Sequence, residues 1–186
     1  PPGRRVVREA VFRWGALLAG FVLSLHAAMW SGGNSGLPSA SLIGYGTGEI
    51  RVEWQWDQVA VCVLAMILLT GAQPWAVGWL NVSQLGAAVW LAALTIFWSL
   101  MMRSAGWIPV KDHGCVRTGC WPDGVQEWLG CAPMLLACIA MVVVACRGRS
   151  PWWLRALVPA AVFLSARIIQ VSLWGPVILP WLNGPR

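Results

Sequence analysis

At 186 residues the chain has room for one domain, and 58% hydrophobic content beside only 11% charged residues excludes an ordinary soluble globular protein. The net charge of +6 does not point to nucleic acid, because the 13 Lys and Arg are spread over short connections and chain ends, without a basic helix face or interleaved stacking aromatics. Fifteen Trp against one Tyr and four Phe, several of them where apolar runs end, fit anchors at a membrane–water boundary.

The numbering begins at Pro1, so the chain is expected to lack at least an initiator Met. Residues 4–30 have a signal peptide's order of basic residues followed by an apolar stretch. RWGALLAGFVLSLHAAMW is nevertheless long enough to span a bilayer, and it is read as a retained anchor over 11–30. The loop after it, 31–57, opens with a Gly/Ser/Asn-rich stretch and then alternates through EIRVEWQW, a pattern for a short strand or an interfacial segment. Further apolar segments follow at 58–80, 84–102, 128–146 and 152–175. Each is near the roughly twenty residues that a helix rising about 1.5 Å per residue needs to cross about 30 Å of hydrocarbon. The expected fold is an all-α integral membrane protein, one transmembrane domain of about five helices. Gln73 and Pro74 mark a kink or a re-entrant turn in the second segment. The short NVSQ link predicts that the second and third spans form a tight antiparallel hairpin.

Charge then sets an expected orientation. Arg4, Arg5, Arg8 and Arg13 flank the first span, and Arg147, Arg149 and Arg155 flank the connection between the fourth and fifth. With five spans both groups lie on one side, the cytoplasmic one, most simply of a bacterial inner membrane. The two longer loops, 31–57 and 103–127, lie on the outer face and hold Glu49, Glu53, Asp57, Asp112, Asp123 and Glu127, six of the seven acidic residues.

The second outer loop carries HGCVRTGCWPDG. In an oxidising compartment Cys115 and Cys120 would close a small disulfide ring, with Cys131 as a competing partner. A zinc site built from His113, Cys115, Cys120 and Cys131 is the alternative, although its spacing matches no standard finger or ribbon, and no metal is expected. Disulfide exchange would need two cysteines separated by two residues, which the chain lacks. Cys62, Cys138 and Cys146 fall within apolar spans, where cysteine serves as a small hydrophobe. His26, near the outer end of the first span, is a weaker site residue.

Arg167 is the most informative single residue. Twelve or so residues after the fifth span enters near Leu154, it is expected near the bilayer midplane, where a guanidinium costs several kcal/mol unless it is hydrated or paired. The other apolar spans hold no Asp or Glu to meet it. A wet cavity, a lipid or substrate phosphate, or an acidic group of another subunit would have to do so. Gln170 and Ser165 are close by on the same helix and offer polar contacts.

The second half of the chain resembles the prolipoprotein diacylglyceryl transferase superfamily. The shared features are GCVRTGC at 114–120, Gln126 and Glu127 opening an apolar helix, RGRSP, and FLSARIIQ in the last span. The resemblance covers roughly sixty residues. It implies transfer of a diacylglyceryl group from an anionic phospholipid in a cavity open to the outer leaflet, with Arg167 on the lipid phosphate. The departures are Asp112 where the family has an arginine, Val171 where it has a glutamate, and no His-Gly-Gly segment on an earlier span. LIGYGTGEIRVEW at 42–54 also resembles the family's last-helix signature, yet it stands before the cysteine motif, in the wrong order.

Two functions remain. The first is a non-catalytic accessory or scaffold subunit of a larger membrane complex, with lipids and partner subunits as its contacts and no nucleic acid. The second is a divergent diacylglyceryl transferase-like enzyme at the outer leaflet, with Arg167 and Gln170 binding lipid phosphate. No cofactor is expected; a bound phospholipid is compatible with either reading.

Overall fold

The computed structural model describes residues 2–32, 55–71, 80–104, 125–148 and 150–173. These form five helices and no strand: α1 (Pro2–Gly32), α2 (Trp56–Gly71), α3 (Leu80–Ser104), α4 (Val125–Cys146) and α5 (Trp152–Leu173). Four of them, all but α2, are long and apolar enough to cross a membrane. The chain is an all-α integral membrane protein. The 16 residues of α2 rise about 24 Å, short of the roughly 30 Å of hydrocarbon. The rest of the segment expected at 58–80, with Gln73 and Pro74, lies outside the described residues, as does EIRVEW.

Neighbouring helices run antiparallel in sequence, so each end of the bundle collects one kind of connection. The turn face holds the start of α1, the α4–α5 turn, the end of α2 and the start of α3. The loop face holds the end of α1 and the starts of α2 and α4. In the α4–α5 turn Gly148 adopts φ 79°, the left-handed conformation that ends many helices. Its N–H donates to Ala145 O at 3.3 Å, and two residues on Ser150 N–H donates to Gly148 O at 3.0 Å. The carbonyl of Pro151 then accepts from Leu154 N–H and Arg155 N–H as α5 begins.

The helices pack side by side as a ring in the order α1, α2, α5, α4, α3 and back to α1. The interior is filled by Met66, Leu69, Leu91, Met134, Met141 and Phe163 alternating with Ala27, Ala65, Ala88 and Ala137. Small residues let backbones approach, and the flexible methionines fill what remains. This order corrects the expected α2–α3 hairpin. The two helices touch only marginally, because α1 lies between them on one side of the ring. Gly20 of α1 is set against Leu68 and Leu69 of α2. Ser24 accepts a hydrogen bond from Trp90 Nε1 of α3 at 2.9 Å, and the Phe21 and Trp90 rings lie 4.7 Å apart. NVSQ is not a link either: α3 starts at Leu80, so Asn81 and Gln84 belong to its first turns.

The exposed tryptophans mark two levels. Trp56 and Trp128 sit at the starts of α2 and α4 on the loop face, and Trp14, Trp152 and Trp153 lie toward the turn face. From Trp128 to the end of α4 is 19 residues, about 28 Å of helix, close to the hydrocarbon thickness.

A Cβ on Gly32 would stand 2.1 Å from Thr95 O, whereas one on Gly15 would meet nothing within 4 Å. Gly32→Ala should therefore destabilise the bundle by about 1–3 kcal/mol, read as a lower thermal midpoint in detergent. Gly15→Ala should be neutral or raise it, since alanine is the better helix former.

Candidate functional site

Two arginines are buried in the ring, one toward each face, and both lie on α5. Arg155 is 3% exposed. Its Nε donates to Ser150 O at 2.9 Å, Nη1 to Gln84 Oε1 at 3.0 Å, and Nη2 to Asn81 Oδ1 at 2.5 Å and Gly148 O at 2.8 Å. Gln84, itself buried, passes the contact on by donating from Nε2 to Met141 O at 3.2 Å. One guanidinium thus ties α5 to α3 and to the turn after α4, and through Gln84 to α4. Four of its five N–H donors meet neutral acceptors. From sequence this residue was a topology marker flanking the span. Its structural part was missed because its acceptors were assigned to the NVSQ link. The available signal was the three-residue spacing of Asn81 and Gln84, which puts two amide side chains on one face of a helix.

Arg167 is 1% exposed. Nη1 donates to Gln170 Oε1 at 2.7 Å, and Gln170 Nε2 donates to Leu129 O of α4 at 2.5 Å. Leu129 O is available for a simple covalent reason. Pro133 stands four residues later inside α4, and proline has no N–H to donate to that carbonyl. Above the guanidinium lies the ring of Trp30, whose centroid is 5.0 Å from Cζ. Trp30 Nε1 in turn donates to Gln55 Oε1 at 2.8 Å, and Gln55, at φ 50°, accepts the first amides of α2 through its own carbonyl. A connected set of contacts therefore runs from the start of α2 through Trp30, Arg167 and Gln170 to α4.

This corrects the expected depth of Arg167. Its guanidinium is level with Trp30, two residues before the end of α1, and with Leu129 near the start of α4, so it sits toward the loop face and not midway. The reason is that α5 begins at Trp152, and fifteen residues of rise, about 22 Å, carry Arg167 well past its middle. Of its two polar neighbours, Gln170 shares its face, whereas Ser165 is exposed.

On the surface nearby, His26 Nε2 is 2.6 Å from Gln58 Oε1, and Gln58 Nε2 donates to Asp57 Oδ2 at 3.0 Å. Because the amide of Gln58 presents its oxygen to the ring, His26 Nε2 is the donor. Cys131 is buried in the second turn of α4. His113, Cys115 and Cys120 lie outside the described residues, and Asp112 with them. Among the described residues no disulfide forms, and no three His, Cys, Asp or Glu gather as metal ligands. Cys62 and Cys138 are buried as small hydrophobes, with Cys62 Sγ 3.9 Å from Ala27 O, while Cys146 is exposed at the end of α4.

What the two arginines do chemically is hold helices. A guanidinium that meets side-chain amides, backbone carbonyls and an aromatic face fixes, through its fork, the relative placement of the groups it touches. Compared with known proteins, the chain matches no family model, no curated protein and no solved structure.

Trp30→Leu and Arg167→Met should each lower stability in detergent by about 1–3 kcal/mol. The double variant should lose less than the sum, by about 0.5–2 kcal/mol, because the pair shares one contact. Unfolding midpoints of the four proteins measure this directly.

Proposed function

We propose that the protein is a non-catalytic accessory or scaffold subunit of a larger membrane complex. The observation that carries this reading is the closure of Arg167. The one last-helix cation that would serve as a lipid-phosphate ligand is 1% exposed, lies under Trp30 and is tied by Gln170 to α4. A guanidinium spent on fastening three helices is not presented to a substrate in an open cavity. The outward surface of the ring is apolar along α3, α4 and α5, with Val89, Phe97, Leu136, Ile139, Leu157 and Ile169 exposed, which is the surface a partner helix or lipid would cover.

The same reading sets the turn face in the cytoplasm. Arg5, Arg8, Arg13 and Arg147 are exposed toward it, and Asp57 is exposed at the opposite end, as the positive-inside bias requires. A bacterial inner membrane suits this arrangement.

Extraction in mild detergent followed by native mass spectrometry should give one assembly of fixed stoichiometry, in which Arg167→Ala weakens the fold without removing a bound lipid. A monodisperse monomer that retains phosphatidylglycerol, and loses it on Arg167→Ala, would instead establish the lipid-handling enzyme.

A further inference from the structure

The first turns of α1 have no part in the ring. Residues 5–15 are all exposed, and the first shielded positions are Ala16 and Leu17. The 31 residues of α1 rise about 46 Å, some 16 Å more than the hydrocarbon requires. The other end of the helix is fixed in the bundle, since Trp30, Ser31 and Gly32 are buried. The surplus is therefore at the turn face. Trp14 lies at the same end as Trp152 and Trp153, so residues 5–13 extend past the aromatic level.

At 3.6 residues per turn this surplus is two-sided. Val6, Val7, Ala10, Val11 and Trp14 fall on one arc, and Arg5, Arg8, Glu9 and Arg13 on the opposite one, with Phe12 the single exception. The 13 Lys and Arg are spread over connections and chain ends, but wound into α1 these three arginines share one face. Val6, Val7 and Val11 are 68%, 63% and 66% exposed, an apolar strip beyond the hydrocarbon with nothing against it among the described residues. Glu9 does not cancel the basic arc evenly, since its carboxylate is engaged by Arg13 Nη2 at 2.6 Å.

We propose that residues 5–14 of α1 are an interfacial anchor that docks on the anionic headgroups of the leaflet at the turn face, with the valine arc in the acyl boundary and the arginine arc on lipid phosphates. Charge complementarity selects this occupant. A second copy of the same segment would cover the valine arc and leave the arginine arc unmet, whereas anionic lipid meets both arcs at once. Gly15, which has open space around it, separates this segment from the shielded part of the helix and is the position at which the axis can bend toward the surface. Such an anchor serves a subunit and an enzyme alike.

The test is amide hydrogen exchange of the intact protein in nanodiscs of phosphatidylcholine alone and of phosphatidylcholine with phosphatidylglycerol. Exchange over residues 5–14 should slow by on the order of tenfold or more in the anionic discs, and the protection should be lost in high salt. Exchange in α4 and α5 should be equal in both. Arg5→Gln/Arg8→Gln should abolish the difference, and Val7→Ser/Val11→Ser should reduce it. Equal exchange of the segment in the two lipids, or protection indifferent to salt, would overturn the anchor. Protection that appears only when an acidic protein is added would do the same and assign the strip to a protein partner.

Discussion

Everything in this bundle depends on how two guanidiniums are satisfied inside an apolar ring. A membrane interior does not supply water to a buried donor, so the protein itself must supply the polar and aromatic groups that meet it. Arg155 finds four, and they come from α3, from the turn and from the residues just before its own helix. Those acceptors are in place only if Gly148 turns through positive φ and α3 begins early enough to bring Asn81 and Gln84 to the same level. The ring order follows: α3 must neighbour α4, α4 must neighbour α5, and α2 is left to close against α1 and α5.

Arg167 applies the same constraint at the other face with different parts. There Nη1 donates to Gln170, and the carbonyl that holds Gln170 is one that Pro133 has left without its helical donor. A proline that would weaken a helix in isolation is thus used to link two helices. The Trp30 ring covers the guanidinium and carries the connection to the start of α2 through Gln55. Both arginines act as fasteners across helix boundaries, a structural use of charge.

The apolar segments were legible because hydrophobic run length alone separates spans from loops, and the tryptophans at their ends marked the boundaries. The importance of Arg167 was legible too, since an arginine in an apolar run demands an explanation. Its depth was not, because counting from Leu154 ignores where the neighbouring helices end. Arg155 was hidden by its position near a span end, where an arginine ordinarily faces the headgroups. The neighbour relations of α2 were hidden because a short connection suggests a hairpin, whereas the seating of Gly20 and Gly32 that places α1 between the two helices is a matter of shape at the contact. The HGCVRTGCWPDG loop lies outside the described residues.

The central claim, that a buried arginine with neutral acceptors fixes the ring, is tested most directly by a double-mutant cycle between Arg155 and Gln84. Arg155→Met and Gln84→Leu should each destabilise the protein in detergent, since each leaves a buried partner exposed to an apolar surround. The double variant, with an apolar pair in place of the polar one, should recover about 1–3 kcal/mol relative to the sum of the single losses. Strict additivity of the two losses would contradict the account.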